Sequence, residues 1–277
     1  MDSRVTMTVD RGVADVRLTR PEKLNAMDGA MFEALIETGE RLKSQAGLRA
    51  VVLSGEGEAF CSGLDLNTFD LFTSGPSRRG RPNENRRWDA VLETRSHGIA
   101  NRLQYAVWVW REVPVPVIAA VHGTAIANGF QLALGADIRI VAPDAELAIA
   151  EVNWGLVPDT TGSQLMRHLA REDVVRMLTY TGRHFSGEEA LAFGFATLLS
   201  TDPRGDALKL AHEIAAKSPD AIRAAKRLLS AAVISDPATG LMQETVEQLA
   251  LIGSPNQVEA ILANMQKRPP RFSDPAP

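Results

Sequence analysis

Residues 115–141 read VPVIAAVHGTAIANGFQLALGADIRIV. The apolar run from Val115 to Val121 has the length of a buried strand, and Gly123 closes it. Asn128 to Leu134 is predicted helical, and Asp137 to Val141 returns as a strand. Strand, helix and strand in such close succession imply right-handed crossovers in a largely parallel sheet. Working outward, Val5, Met7 and Val9 alternate, Asp10-Arg11-Gly12 turns, and Val13, Val16 and Leu18 continue, as in a hairpin. Asp28 can cap a helix whose apolar positions Met31, Leu35, Ile36 and Leu42 recur at helical spacing, and Gly47 can end it before the short strand Ala50 to Leu53. Beyond Glu151 the pattern turns helical: Leu165 to Leu169, Val174 to Tyr180, Gly187 to Phe193, Asp206 to Lys217, Ala221 to Val233, Ala238 to Leu251 and Gln257 to Gln266. Pro219, Pro237 and Pro255 fall near the first turns of their helices, where a fixed φ and a missing donor do no harm. The class is α/β, with residues 1–200 expected to form the core and 201–277 a helical region.

The 277 residues include 45% hydrophobic and 23% charged side chains with a formal net charge of -4. That balance argues against disorder and gives no overall attraction to nucleic acid. Cys61 is the single cysteine, so an internal disulfide is excluded. The histidines His97, His122, His168, His184 and His212 never fall at i, i+4 spacing, and no metal site is expected. The most apolar stretch, Val113 to Val121, is far shorter than the roughly 20 residues that span a bilayer. The first residues carry no leader pattern, so the expected location is cytoplasmic. Ser74 to Arg87, SGPSRRGRPNENRR, has five arginines and no apolar residue. It reads as a solvated loop, or as a loop over a ligand's phosphates; without interleaved aromatics a nucleic-acid arm is disfavoured.

Three segments carry signals for chemistry. Phe60-Cys61-Ser62-Gly63-Leu64-Asp65-Leu66 follows a strand and opens through small residues, which leaves backbone N–H groups free to stabilise negative charge. His122 to Gln131 repeats the arrangement. Two such turns facing each other would make an oxyanion hole, whereas either alone is also what a tight strand-to-helix connection looks like. The third segment, Glu151 to Gly162, places an acid at a strand end before a loop and a helix start. There Asp159 could serve as a helix cap and Glu151 as a surface acid.

Taken together the segments resemble the crotonase superfamily, the enoyl-CoA hydratase/isomerase family, over nearly the whole chain. The likeness is carried by Arg20-Pro21-Glu22-Lys23-Leu24-Asn25-Ala26, Phe60 to Leu66, Pro116 to Gly123, Gly135-Ala136-Asp137, Gly155-Leu156-Val157-Pro158 and Lys267-Arg268-Pro269-Pro270-Arg271-Phe272. It implies a crotonase-like spiral ββα core, a C-terminal helical trimerisation region in a homotrimer or dimer of trimers, and an acyl-CoA substrate. Coenzyme A then enters as part of the thioester, with no separate prosthetic group.

By position, the resemblance implies oxyanion donors at the N–H of Leu64 and of Asn128, which stands where most relatives carry glycine. It implies coenzyme A contacts at Lys23, Leu24, Ser62, Leu64, Asp65 and the basic C-terminal position Lys267, which as a helix-terminal cation would also suit the helix dipole. Hydratases of the family place glutamates at the positions of Gln131 and Glu151. Gln131 can hold a water or a carbonyl but cannot exchange a proton. Glu151 is retained, and Asp159 stands where dienoyl-CoA isomerases carry a second acid; their third acid falls at Gln131 and is missing, so two of three isomerase acids match against one of two hydratase acids. The resemblance therefore favours shifting a double bond in an enoyl- or dienoyl-CoA, with Glu151 moving the proton and Asp159 assisting. Hydration of a 2-enoyl-CoA and non-catalytic acyl-CoA binding are the alternatives. Trp108, Trp110 and Trp154 could line an acyl pocket, yet large aromatics are more often core, and only Trp154, within the acid-bearing loop, points toward a pocket role. Ser163 lacks the elbow motif of serine hydrolases. Cys61 is expected to matter for its small size.

Overall fold

In the computed structural model, which describes residues 3–68 and 91–275, β1 (Val5–Asp10) pairs antiparallel with β2 (Val13–Leu18), Asp10 lying opposite Val13. The arginine-rich stretch 74–87 lies outside the described residues. Helix α1 (Gly29–Lys43) starts where Asp28 accepts a hydrogen bond from the Met31 N–H at 2.8 Å, and it buries Met31, Leu35, Ile36 and Leu42. The chain continues through β3 (Ala50–Gly55), α2 (Arg102–Glu112), β4 (Val117–Val121), β5 (Thr124–Ile126), α3 (Asn128–Leu134), β6 (Ile138–Val141) and β7 (Glu146–Ala148). It then forms α4 (Gly162–Met166), α5 (Glu172–Thr181), β8 (His184–Ser186), α6 (Gly187–Phe193), β9 (Leu198–Leu199) and α7 (Pro203–Ala215). The described helices close with α8 (Pro219–Ala232), α9 (Pro237–Leu251) and α10 (Pro255–Met265), each with proline in its first turn as expected.

The main sheet has the order β1-β2-β3-β4-β6-β9 and is parallel from β2 onward. Its residues alternate between two cores, as the period of two requires. Val51, Leu53, Val117, Ala119 and Val121 enter the large core with α1, α2 and α3, while Ala50, Val52, Ile118 and Ala120 face Ala207 and Ala211 of α7. With both faces covered, β3 and β4 are buried throughout, which explains their unbroken apolar sequence. Burying one such branched side chain stabilises the fold by roughly 1.5–3 kcal/mol. Helix α7, beyond residue 200, thus packs directly on the main sheet.

The buried Lys226 ties α8 to that core. Its ammonium donates to the carbonyls of Trp110 at 3.3 Å and Val115 at 2.9 Å and to Asp137 at 2.7 Å. Farther out, α9 buries no residue at all and exposes Leu241, Met242, Val246 and Leu249.

A second sheet, in the order β5-β7-β8, consists of three-residue strands. It was not expected, because three residues show no readable periodicity. Its consequence is positional: β5 carries the chain out of the main sheet, and α3 starts at the seam between the two sheets, buried along its whole length.

Candidate active site

The two small-residue turns meet. Phe60 donates its N–H to the His122 carbonyl at 3.0 Å, Cys61 to that of Thr124 at 3.0 Å, and Ile126 returns a bond to the Cys61 carbonyl at 3.1 Å. So close a contact needs glycine on both sides. A Cβ on Gly129 would fall 2.1 Å from the Cys61 carbonyl oxygen, and one on Gly63, whose φ is +96°, would fall 2.8 Å from that of Ile126. Cys61 is buried and its thiol is pushed up to about 12 by desolvation, so it stays neutral.

The ladder leaves two donors over. Met27 donates to the Gly63 carbonyl and accepts from Asp65, which passes over the intervening N–H of Leu64. Asn128 is the first residue of α3, so its N–H has no carbonyl one turn back. Among the described residues neither N–H has an acceptor, and both stand beside the same turn contact. Ala127, just before Asn128, adopts φ +51° and ψ −118°, a region rarely entered by a residue with a side chain.

The acids come from the loop after β7. That strand ends at Ala148, and Glu151 opens a 3₁₀ turn, Glu151–Trp154, rather than closing a strand. Glu151 is buried, with 5% of its surface exposed. Its Oε1 accepts a hydrogen bond of 2.5 Å from Gln131 Nε2, while its buried Oε2 has no partner. Burial raises the pKa of this carboxyl above the ordinary carboxylate range, and the nearby negative charge of Asp159 raises it further. Its own backbone N–H and the Gln131 amide oppose the rise. Asp159 is open to solvent yet surrounded by enough protein that desolvation raises its pKa as well. It does not cap the following helix: Thr161, at φ +73°, occupies that position without a side-chain cap.

Gln131 is engaged at both ends of its amide. Its Oε1 accepts from the Gly162 N–H at 2.8 Å, opposite the bond to Glu151. Asn128 Nδ2 donates to Thr160 Oγ1 at 3.1 Å, in the same loop. Leu64, Asn128, Gln131, Glu151 and Asp159 are thus gathered around the start of α3.

The expected coenzyme A residues divide. Ser62 donates its N–H to the Leu24 carbonyl at 2.9 Å and its hydroxyl approaches the Lys23 carbonyl at 3.5 Å, so the exposed Lys23 and Leu24 and the half-buried Ser62 form one ridge next to Leu64. Asp65 is buried and engaged within the protein, by Arg20 at 2.6 Å and by the Asn67 N–H at 2.9 Å. Both contacts hold the turn together. Sequence reasoning missed two residues of the quoted Arg20 to Ala26 motif that do the same. Asn25 accepts from the Arg20 N–H at 2.8 Å and donates to the carbonyls of Glu56 at 2.9 Å and Ala59 at 2.8 Å, while Arg20 bridges Asp65 and the Ala26 carbonyl.

Lys267 is exposed beyond α10, and none of its described contacts joins it to this ridge. Trp110 lies in the core and Trp108 packs partly buried against it. Trp154 stands exposed on the acid loop with Val152, Leu156 and Val157, forming an apolar rim. Among the described residues no cluster of His, Cys, Asp or Glu is arranged to hold a metal, and no helix is long and apolar enough to cross a membrane.

Residues 8–275 match the family profile described as enoyl-CoA hydratase/isomerase. A Mycobacterium tuberculosis protein described as a probable enoyl-CoA hydratase is 31% identical over 268 residues, covering 97% of this chain and 98% of its own. The mitochondrial Delta(3,5)-Delta(2,4)-dienoyl-CoA isomerase of Mus musculus is 29% identical over 265 residues, covering 94% of this chain and 79% of its own. Among solved structures, an enoyl-CoA hydratase from Bacillus anthracis superposes with a TM-score of 0.84 at 28% identity, covering 97% of this chain and 98% of that one.

Proposed function

The chain belongs to the enoyl-CoA hydratase/isomerase family of the crotonase superfamily, and from that premise we propose that it shifts a double bond in an enoyl- or dienoyl-CoA thioester. The observation that carries this reading is the state of Gln131. Its amide cannot exchange a proton, and its Nε2 and Oε1 are already bonded to Glu151 and Gly162, which makes it part of the loop's support. Hydration uses a second acid at this position, whereas a shuttle of one proton between two carbons needs one carboxylate; dienoyl-CoA isomerases place a third acid here, so Gln131 favours the single-carboxylate form of the reaction.

The thioester carbonyl accepts hydrogen bonds from the N–H groups of Leu64 and Asn128. A preorganised donor of this kind contributes about 3–4 kcal/mol to an enolate-like transition state. Glu151 Oε2, the oxygen without a partner, removes a proton from carbon, and the C–H electron pair moves into the enolate. Return of the proton at another carbon of the conjugated system relocates the double bond, with no net gain or loss of atoms. The raised pKa of Glu151 supports this role, since a stronger base lies closer to the weak carbon acid it must deprotonate. Asp159 assists through its charge.

Coenzyme A lies against the ridge of Lys23, Leu24 and Ser62, and Lys267 meets its phosphates from a neighbouring subunit. The exposed apolar row of α9 supports a homotrimer or dimer of trimers. The reaction takes no prosthetic group and is placed in the cytoplasm. Hydration is the second reading, favoured by relatives that bear the name hydratase and match along nearly the whole chain.

Incubation of the pure protein with 2-enoyl-, 3-enoyl- and dienoyl-CoA while following thioester absorbance separates the readings. Isomerisation shifts the conjugated absorbance and hydration removes it. No change with any substrate would leave only acyl-CoA binding.

A further inference from the structure

Asn128 and Gln131, the two departures from the family pattern, lie one turn apart on α3 and so share a face. Both side chains reach the same loop: Asn128 bonds Thr160, beside Asp159, while Gln131 bonds Glu151 and Gly162. Thr160 and Gln131 are almost fully buried, whereas residues 152–157 between the acids are exposed. The loop's outer part is exposed and is tied to the end of α5, where Asn153 Nδ2 donates to the Gly182 carbonyl at 3.3 Å, so the ends that carry the two acids are held by α3. Gly162 fits the same design, because a Cβ there would fall 2.5 Å from Gln131 Oε1.

We propose that Asn128 and Gln131 are a pair of positioning residues, a polar brace that fixes the loop bearing Glu151 and Asp159 to the helix bearing the second oxyanion donor. Neither side chain exchanges a proton. The brace sets where the open oxygen of Glu151 stands relative to the Asn128 N–H. The kinetic part of this proposal rests on the reading of Glu151 as proton carrier.

The test combines titration of the Glu151 carboxyl by carbon-13 NMR with kinetics, on wild type, Gln131→Met, Asn128→Gly and the double variant. The Gln131 donor favours the charged form of Glu151, opposed by burial and by Asp159, the other charged group acting on it among the described residues. In Gln131→Met, Glu151 therefore titrates at higher pH than in wild type, kcat falls about 10–100-fold and KM stays within about twofold. Asn128→Gly lowers kcat by about 3–10-fold with KM unchanged. The double variant loses less than the product of the two, since both residues hold one loop. Gly162→Ala, which displaces Gln131 without removing it, also moves the Glu151 titration upward. Melting temperature and acyl-CoA affinity verify that each variant is folded. An unmoved Glu151 titration in Gln131→Met, or strictly multiplicative losses in the double variant, would overturn the brace. If wild type isomerises no substrate, the reading of Glu151 fails, and the titration alone decides the brace.

Discussion

The two small-residue turns and the acid loop meet at the start of α3 but are held by different means. Main-chain bonds between Phe60–Cys61 and His122–Ile126 fix the turns, together with glycines that leave no room for a Cβ. Side chains fix the acid loop: Gln131 on Glu151 and Gly162, Asn128 on Thr160. A backbone-built half tolerates exchange of its side chains, so Asn128 can open α3 at the turn contact and still present its N–H. A half built from side chains changes its chemistry with one substitution, as glutamine in place of glutamate does at Gln131.

The hardest test of this contrast is Glu151→Gln. It removes the proposed proton carrier and keeps the shape, so turnover falls about 10²–10⁴-fold with acyl-CoA affinity nearly intact; unchanged turnover would sink the assignment. The same variant reports on stability. The folded-state pKa of Glu151 is raised, so its favourable protonated form is present below the ordinary carboxylate pKa and lost as pH rises through the raised value. Glu151→Gln therefore melts higher than wild type at neutral and alkaline pH, and the gain vanishes in acid; a gain independent of pH would contradict the raised pKa.

Gly129→Ala attacks the other half. Its methyl would overlap the Cys61 carbonyl, and parting the two turns lowers stability by roughly 3 kcal/mol, read in a denaturant melt, with loss of turnover. Asp159→Asn is milder. It removes a neighbouring charge, lowers turnover about tenfold, equivalent to about 1.4 kcal/mol, and moves the Glu151 titration downward because a repulsive charge is gone. The smallest effect is expected at Ala127, held at φ +51°: Ala127→Gly relieves strain and stabilises the fold by about 1 kcal/mol, visible as a raised melting temperature.

Much of the fold was legible before any coordinates. The hairpin of β1 and β2, the Asp28 cap, the buried strands β3 and β4 and the extent of α3 follow from alternation, capping and apolar runs, which are local properties. Less legible was whatever depends on partners far along the chain. The three-residue strands carry no periodic signal, and α7 could not be assigned to the core from its sequence, since a helix's amphipathic face does not say what covers it. Asp65 stood in a motif that suggested ligand contact, but its buried pairing with Arg20 became visible only with the fold.

For the site, the sequence by itself determined the inventory: two small-residue turns, one glutamate, one aspartate, and an amide where a second glutamate would allow hydration. Only the tertiary structure decided how those groups are used. Residue identity limits which protons a side chain can exchange. Which oxygen stays open is set by hydrogen-bond partners that packing brings together, and Gln131 closes Oε1 of Glu151 and leaves Oε2.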